Sequence, residues 1–519
     1  PAFHAFENLP HRPSRARKID PIVRPSRPAS EPASKGEEMS KRPLMMGSRL
    51  LLAAVSFAVL AACSENAPAA PAEPAAVATK PADDPAWPVA AVADPTTLGF
   101  TAEGLAALDA RFTKAVADQD FAGIVTLLAK GGEVAQFNAY GIQSGDPKTG
   151  TPMTKDSIFR IYSMTKPITG IALMQLYEQG KWQLDDPITK YAPELANLKV
   201  LTFKDGKPVI QGGKPVLADS SRPATMREIM SHTAGFGYGL GGDDPVNTAF
   251  RDQKVLLSKN LDEMITKIAG IPLIYDPGTR WSYSVSVDIQ GYIVQKISGQ
   301  KFGDYLKANI FTPLGMNETS FILPEDKAAR FADVYGWDKA KNLLAIQPPA
   351  PFTRYDAANE MESGGGGLVS TAHDYARFSQ MLLNKGTLAG ATIVKPESIA
   401  LMAQNQIGDL GIYSDGTAAN PGRPGQKFGL DFAVYTDPEA GQNPFGKGTF
   451  YWSGAAGTIF WIDPVNDIFF VGLVQQMGGS RPGAMNFRND SGKLILDALK
   501  PAATAATPAE APKELEPAH

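Results

Sequence analysis

Alternating apolar residues mark strands near both ends of the chain, whereas helical periodicity dominates its middle. Two strand-like segments, Gly123 to Ala129 and Glu133 to Tyr140, flank Lys130-Gly131-Gly132 and predict a β-hairpin. Four later segments of the same kind precede a final helix at about 491–499: residues 429–435, 448–452, 458–462 and 468–475. We therefore expect an α+β fold, in which both chain ends complete one mostly antiparallel sheet flanked by helices, with a helical domain between them.

Capping signals and turn pairs refine the middle of this pattern. Thr225-Met226-Arg227-Glu228 has the form of a capping box, and Thr371-Ala372-His373-Asp374 predicts a second capped helix. No internal repeat is visible. Two turn pairs between β-like runs predict hairpins within residues 198–217, outside the main sheet: Asp205-Gly206 and Gly212-Gly213.

Composition divides the chain into a folded part and its flanks. Residues 1–38 are rich in Pro, Arg and Ser without periodicity, and we interpret them as a non-native or disordered leader before a biological start at Met39, with Met45 or Met46 as alternative starts. Residues 39–62 have the pattern of a signal peptide, and an Ala- and Pro-rich tether occupies 63–97. The folded domain is expected at 98–500, with its sheet part at about 98–160 and 425–500 and its helical part at about 161–424, followed by a disordered tail at 501–519.

A lipid attachment site is predicted at Cys63, the only cysteine of the chain, which excludes an intramolecular disulfide. Three cations precede an apolar run from Leu50 to Ala62 that is too short to span a bilayer. Leu60-Ala61-Ala62-Cys63 resembles a bacterial lipobox, although a signal peptide cut nearby or a buried helix is an alternative. With Ser64 after the cysteine, we expect a lipid anchor in the bacterial cell envelope, on the periplasmic side or in the outer membrane.

Bulk composition excludes several classes of function. The 519 residues are 43% hydrophobic and 20% charged, which is typical of a globular protein with a large core. Residues 63–519 carry 40 lysines and arginines against 49 aspartates and glutamates, so no basic surface for nucleic acid is indicated. The sequence has no phosphate-binding loop, dinucleotide fingerprint or zinc motif. We therefore expect no metal, no cofactor and no obligate protein partner.

The residues with the clearest chemistry are Ser163 and Lys166, at the start of an apolar helix. Side chains three positions apart share a helix face, so the Lys166 amine can remove the Ser163 proton. The helix N-terminus also favours a developing oxyanion. The alternative is that Ser163 only caps the helix. A second copy of the pattern, Ser298-Gly299-Gln300-Lys301, follows a helical run at a glycine stop and predicts no chemistry.

Other candidates are fewer. We interpret His232 and His373 as structural, and no Gly-x-Ser-x-Gly elbow is present. Tyr283 is a candidate proton relay if neighbouring groups lower its pKa, or else it packs in the core. The run Gly364 to Gly367 predicts a flexible turn or a close backbone approach to a ligand.

Four motifs, in this order, resemble the serine β-lactamase/penicillin-binding-protein superfamily, and family VIII carboxylesterases within it, the branch close to class C β-lactamases. The resemblance implies a β-lactamase/transpeptidase-like fold, with Ser163 as nucleophile, Lys166 as its base and Tyr283 as proton shuttle. It also implies an oxyanion hole from the backbone N–H groups of Ser163 and Ala455. The motifs are Ser163-Met164-Thr165-Lys166-Pro167-Ile168-Thr169, Ser231-His232-Thr233-Ala234-Gly235-Phe236, Pro277-Gly278-Thr279-Arg280-Trp281-Ser282-Tyr283-Ser284 and Gly364-Gly365-Gly366-Gly367-Leu368-Val369-Ser370-Thr371.

Two departures from the class C pattern bear on the substrate. Val285 stands where those enzymes have an asparagine, and Trp452-Ser453-Gly454 replaces Lys-Thr-Gly. An aromatic side chain in place of a cation implies a neutral, short-chain ester rather than a carboxylate-bearing antibiotic or peptide. Phe236 and Gly365 are also expected among the substrate-binding residues. The alternatives are a β-lactamase or D-alanyl-D-alanine carboxypeptidase at the same site, and a catalytically inert envelope-binding lipoprotein.

Overall fold

The computed structural model describes residues 87–88, 90–348, 355–414, 420–441 and 443–499. The leader, the signal peptide, Cys63, most of the tether and the tail lie outside the described residues, and the limits set for them stay predictions. Among the residues described, no helix has the length and apolar character needed to cross a bilayer.

Twenty strands are assigned in the described residues. Numbered in chain order, they are β1 Gly123–Lys130, β2 Glu133–Ser144, β3 Thr151–Pro152, β4 Phe159–Arg160, β5 Lys199–Leu201, β6 Phe203–Lys204, β7 Lys207–Pro208, β8 Ile210–Gln211, β9 Lys214–Pro215, β10 Leu217–Asp219, β11 Tyr335–Asp338, β12 Leu343–Ile346, β13 Val369–Ser370, β14 Thr387–Leu388, β15 Ala391–Thr392, β16 Gln426–Phe428, β17 Ala433–Tyr435, β18 Phe450–Ser453, β19 Ile459–Asp463 and β20 Ile468–Leu473.

One eight-stranded sheet joins the two ends of the described chain. Its order is β16-β17-β18-β19-β20-β1-β2-β3, and every neighbouring pair is antiparallel. The hairpin of β1 and β2 turns at Gly131 and Gly132, which both have positive φ. Strands β19 and β20 are buried along their whole length because helices cover the sheet. The predicted α+β architecture and its closure by both chain ends are confirmed.

Eleven α-helices are assigned in the same residues: α1 Ala102–Ala117, α2 Thr165–Glu178, α3 Met226–Met230, α4 Pro245–Asp252, α5 Leu261–Ala269, α6 Ser286–Ser298, α7 Phe302–Leu306, α8 Thr312–Leu314, α9 Ala372–Leu383, α10 Pro396–Met402 and α11 Phe487–Asp497. The first ten residues of α2, Thr165 to Met174, are all buried, as expected of a helix that is apolar on nearly every side. The predicted capping box at Thr225 forms at the start of α3. Thr371 caps α9 by accepting a hydrogen bond from the Asp374 N–H.

Two predicted boundaries were wrong. The segment 429–435 is not one strand, because the chain turns between β16 and β17, where the Gly429 N–H donates to the Phe432 carbonyl. This turn lets the Asp431 N–H donate to the carbonyl of Met230 in α3, which fixes the turn on the helical part. The final helix begins at Phe487 rather than near 491, because the side chain of Asn486 caps it.

A buried carboxylate ties the two ends of the folded chain together. Asp120 lies just before β1 and is 1% exposed. Its Oδ1 accepts hydrogen bonds from Arg481 Nε at 3.0 Å and Nη2 at 2.6 Å, and its Oδ2 accepts one from the Met485 N–H at 3.0 Å. A carboxylate with three such donors is stabilising only while every partner is present, because the donors are also withdrawn from water.

We therefore expect Asp120→Ala to lower the free energy of unfolding by about 3 kcal/mol, since it leaves the donors of a buried ion pair unmatched. Chemical denaturation followed by circular dichroism measures this loss. Asp497→Ala is the matched control, because Asp497 is paired with Lys493 at the surface and its removal should change little. Equal denaturation midpoints for the two variants would show that the contacts of Asp120 with Arg481 and Met485 do not hold the chain ends together.

Candidate active site

Ser163 lies in a strained turn immediately before α2. Residues Tyr162–Met164 form a 3₁₀ turn that leads directly into α2 at Thr165, so Ser163 lies at the start of the helix, as expected. Tyr162 has a φ of 43°, a left-handed conformation that is unfavourable for a side chain of its size. The turn directs the partly exposed Ser163 hydroxyl away from the helix ladder and towards two other side chains.

Lys166 is enclosed behind Ser163 and is 1% exposed. Its Nζ lies 3.3 Å from Ser163 Oγ, 3.1 Å from the Tyr238 hydroxyl and 2.6 Å from the carbonyl oxygen of Gly365. Burial lowers the pKa of the Lys166 amine to about 7, although the carboxyl groups of Asp288 and Asp431 oppose that shift. A substantial fraction of Lys166 is therefore neutral near pH 7, as a general base requires.

Tyr283 approaches Ser163 from the opposite side. It precedes α6, and its hydroxyl donates a hydrogen bond to Ser163 Oγ at 2.7 Å. Burial raises the pKa of Tyr283 above its ordinary value, although the hydrogen bond with Ser163 opposes that rise. The expectation of a lowered pKa was wrong, because withdrawal of the ring from water raises the pKa and the carboxyl groups of Asp288 and Asp431 act in the same direction. Tyr283 is thus a phenol that can donate a proton.

The glycine run at residues 364–367 packs directly behind Lys166. The Gly365 N–H donates to Asp288 Oδ1 at 3.1 Å, while its carbonyl accepts from Lys166. A Cβ at Gly365 would lie 2.3 Å from Asp288 Oδ2, so no side chain fits there. Gly365 is itself buried, and its carbonyl holds the Lys166 amine in place.

Aromatic rings form a wall beside the Ser163 hydroxyl. The Tyr283 ring lies 5.6 Å from Trp452 and 6.3 Å from Trp281, and Phe428 lies 5.3 Å from Trp452, all as distances between ring centroids. Trp452 is in β18, so the sheet and the helical part meet at this wall. The wall carries no charge, as the replacement of Lys-Thr-Gly by Trp452-Ser453-Gly454 predicts.

The end of β18 touches the Ser163 turn. A Cβ at Gly454 would lie 2.5 Å from the Ile161 carbonyl, and Thr458 Oγ1 donates to that carbonyl at 3.3 Å. Ala455 packs in a small cluster with Tyr162, so its backbone borders the same turn. Ser453 and Ala455 are both partly exposed. These contacts place the proposed oxyanion-hole residues on adjoining segments.

Two other residues expected near the substrate occupy different places. Phe236 lines a separate cavity of about 310 Å³ with Leu198 and Leu273, beyond the loop that carries Tyr283. Val285 is fully buried before α6 and donates its N–H to the carbonyl of Gly237. Their side chains are held by packing of the helical part.

His232 is buried among aromatic rings, with its ring 4.8 Å from that of Tyr283. Burial lowers the pKa of His232 well below its ordinary value, and the charge of Lys166 acts in the same direction. Its Nδ1 lies 3.1 Å from Ser284 Oγ, which fixes the ring on the Tyr283 loop. His373 lies on the surface 3.3 Å from Asp374 Oδ1. Neither histidine contacts Ser163, and among the described residues no cluster of acidic, histidine or cysteine side chains could hold a metal ion.

Sequence reasoning missed Tyr238, Asp288 and Asp431. Asp288 accepts hydrogen bonds from the Ser363 hydroxyl at 2.5 Å and from the Gly365 N–H, and Asp431 accepts one from Gln290. Burial raises the pKa of both carboxyl groups. The available signal was a carboxylate inside the apolar stretch Val285 to Ile289, because such a residue is almost never buried without a partner.

Comparisons with known proteins show the family to which the chain belongs. The family model described as Beta-lactamase matches residues 108–492. Protein Rv1367c of Mycobacterium tuberculosis is 34% identical over 361 residues, which cover 68% of this chain and 85% of that protein. Esterase EstB of Burkholderia gladioli is 31% identical over 393 residues, covering 72% of this chain and 91% of the esterase.

Solved structures share the fold. EstCE1, described as a hydrolase with promiscuous acyltransferase activity, has a TM-score of 0.59 at 24% identity and covers 77% of this chain and 99% of its own. Unliganded Simvastatin Synthase (LovD) from Aspergillus terreus has a TM-score of 0.61 at 23% identity, over 77% of this chain and 98% of its own. At these identities the likeness shows the fold alone. The predicted resemblance to family VIII carboxylesterases is confirmed, and the chain belongs to the beta-lactamase family of the serine β-lactamase/penicillin-binding-protein superfamily.

Proposed function

We propose that this protein is a serine carboxylesterase that hydrolyses short-chain carboxylic esters through an acyl-enzyme on Ser163. The observation that carries the proposal is the position of Ser163 Oγ, 2.7 Å from a phenol and 3.3 Å from a buried amine with a pKa of about 7. The similarity to Esterase EstB supports ester hydrolysis. The nearby wall of uncharged rings favours a neutral ester over a substrate whose carboxylate needs a cation.

Each residue has one task in this mechanism. Neutral Lys166 takes the Ser163 proton while Oγ bonds to the ester carbonyl carbon, and backbone N–H groups of Ser163 and Ala455 stabilise the oxyanion. Tyr283 gives its proton to the alkoxy oxygen, so the alcohol leaves and the acyl group stays on Ser163. The Lys166 ammonium, 4.6 Å from the centre of the Tyr283 ring, then returns a proton to the phenolate. Water attacks the acyl-enzyme by the same steps in reverse and releases the acid.

Hydrolysis of a cephalosporin is the competing reaction at the same site. Val285 and Trp452 speak against it, since they replace the asparagine and the lysine that the resemblance associates with β-lactam substrates. Rates on an acyl-length series of chromogenic esters, measured beside nitrocefin, separate the two activities. Faster turnover of nitrocefin than of every ester would make the protein a β-lactamase.

Ser163→Ala should lower kcat/KM on a short-chain chromogenic ester by about 10³-fold or more, because removal of a nucleophile leaves only binding and oxyanion stabilisation. It should also abolish labelling by a fluorophosphonate probe. Ser298→Ala is the matched control, since Ser298 has the same spacing to a lysine but ends α6 at the surface. Undiminished hydrolysis by the Ser163 variant would refute the mechanism, and a parent protein that no probe labels would support an inert binding protein.

The pH profile tests the base. Because the Lys166 pKa is lowered to about 7 and only the neutral amine accepts a proton, kcat/KM should rise through pH 7 and level off above it. Tyr283 should cause no loss of activity up to about pH 10, since its pKa is raised above the ordinary value near 10. Tyr283→Phe should slow the reaction and keep the rise near pH 7, whereas Lys166→Arg should remove it. A rise centred below pH 5 in the parent enzyme would assign the base to a carboxylate instead.

We also propose that the protein is anchored in the bacterial cell envelope by a lipid on Cys63, which lies outside the described residues. Support comes from the lipobox-like Leu60-Ala61-Ala62-Cys63 after a basic and then apolar segment. Cys63→Ala should move the protein from the membrane fraction to the soluble fraction of cells, with Ser64→Ala as control. An unchanged membrane fraction for Cys63→Ala in high salt would exclude the lipid.

A further inference from the structure

Residues 199–219 form an arm, made of β5 to β10, that projects from the helical part. The arm contains a short repeat that the sequence analysis overlooked, Gly206-Lys207-Pro208-Val209-Ile210 followed by Gly213-Lys214-Pro215-Val216-Leu217. Its base is attached to the domain, because the Leu201 N–H donates to the carbonyl of Leu273 and the Leu273 N–H donates to that of Lys199. Beyond this base every large side chain of the arm is at least partly exposed.

Three backbone hydrogen bonds close the arm into a ring with a seven-residue period. The Val209 N–H donates to the Thr202 carbonyl at 2.9 Å, the Val216 N–H to the Val209 carbonyl at 2.9 Å, and the Thr202 N–H to the Val216 carbonyl at 3.0 Å. Two hairpins project from this ring, each made of a pair of two-residue strands: β6 pairs with β7, and β8 pairs with β9. The same hydrogen bond repeats three times, so Thr202, Val209 and Val216 are related by an approximate threefold rotation. The residues that follow them in the chain are therefore equivalent to one another and lie on one side of the ring.

Apolar side chains occupy those equivalent positions and stay in water. Phe203 is 40% exposed, Ile210 51% and Leu217 40%. They are three of the eight large exposed apolar residues found in the described part of the chain, within an arm of only 21 residues. The ring of Phe203 also stacks on that of Tyr275, with 5.7 Å between the ring centroids, and this contact holds Phe203 in place. A domain does not need such a cluster for its own stability, since each of the three side chains leaves a large part of its surface exposed.

The charge of the arm is opposite to that of the rest of the protein. It carries four lysines against two aspartates, whereas residues 63–519 as a whole carry 40 basic against 49 acidic residues. Lys199 is paired with Asp219, and within the described residues no ion pair involves the other three lysines. Those lysines, Lys204, Lys207 and Lys214, are exposed and belong to the same two hairpins as Phe203 and Ile210.

We propose that this arm docks on an anionic lipid surface, with Phe203, Ile210 and Leu217 at the boundary of the acyl chains and the three lysines among the phosphates. Lysine stems bury their methylene groups at such a boundary while the ammonium stays with the headgroups. The acidic remainder of the domain is repelled by the same surface, so the arm would fix one orientation. A second copy of the chain fits the arm less well, because a twofold contact would bring its unpaired lysines against one another.

The test uses the purified full-length protein with Cys63→Ala, so that no lipid anchor contributes. Its cosedimentation is compared on vesicles of phosphatidylcholine alone and of phosphatidylcholine mixed equally with phosphatidylglycerol. Binding should require phosphatidylglycerol and weaken as salt is added. Lys204→Gln/Lys207→Gln/Lys214→Gln should weaken it by about fivefold per lysine, on the order of a hundredfold in all. The double variant Ile210→Ser/Leu217→Ser should weaken vesicle binding by about tenfold while the Phe203 ring keeps its stacking on Tyr275.

Matched controls replace exposed residues of the same types elsewhere: Lys339→Gln/Lys385→Gln/Lys447→Gln and Leu343→Ser/Val465→Ser. Both should bind like the parent, and thermal unfolding of all variants verifies that they are folded. Absence of binding to phosphatidylglycerol vesicles, or equal binding by arm and control variants, overturns the proposal. Self-association in sedimentation velocity that the arm variants abolish would instead assign the arm to a second copy of the chain. Since Cys63 is replaced throughout, these results are independent of the anchor and of the esterase activity.

Discussion

The Lys166 amine is held between the Ser163 hydroxyl, the Tyr238 hydroxyl and the Gly365 carbonyl, with almost no access to water. An ammonium in that position loses its hydration, and this loss lowers its pKa more than the carboxyl groups of Asp288 and Asp431 raise it. The same burial raises the pKa of Tyr283, because a phenol becomes charged when it loses its proton. One dry environment therefore favours a neutral amine, which can accept a proton, and keeps the phenol protonated, on either side of one serine.

The fold supplies this environment by enclosing α2 between the two parts of the molecule. Helix α2 carries Lys166 and is buried over its first ten residues. The sheet reaches the Ser163 turn through the end of β18, and the sheet itself requires both ends of the chain. The glycine run on the far side of Lys166 packs so closely that Asp288 occupies the space of a Cβ. Contacts as tight as these leave the amine one arrangement and exclude the water that would restore its ordinary pKa.

The parts of this structure that the sequence predicts are those governed by local pattern. The hairpin at residues 123–140, the cap at Thr225 and the pairing of a serine with a lysine three residues later depend on near neighbours, and the structure contains all three. The strained turn at Tyr162, the turn before Asp431 and the raised pKa of Tyr283 depend on segments that lie far apart in the chain. Phe236 shows the same limit, since a residue in a recognised motif can face a cavity elsewhere. The repeat in the arm has a period of only seven residues, and its structural meaning depends on the backbone hydrogen bonds between its copies.

The exchange of a cation for Trp452 has an electrostatic consequence beyond the choice of substrate. A second ammonium close to Ser163 would repel the proton on Lys166 and lower the pKa of that amine further, at the expense of its strength as a base. The Trp452 ring, 5.6 Å from that of Tyr283, adds apolar surface without adding charge. The lowering of the Lys166 pKa by burial is then opposed by the carboxyl groups of Asp288 and Asp431, and this pKa stays at about 7. An ester carries no formal charge that a cation would have to match, so the aromatic wall can exclude water without adding a second cation at Trp452.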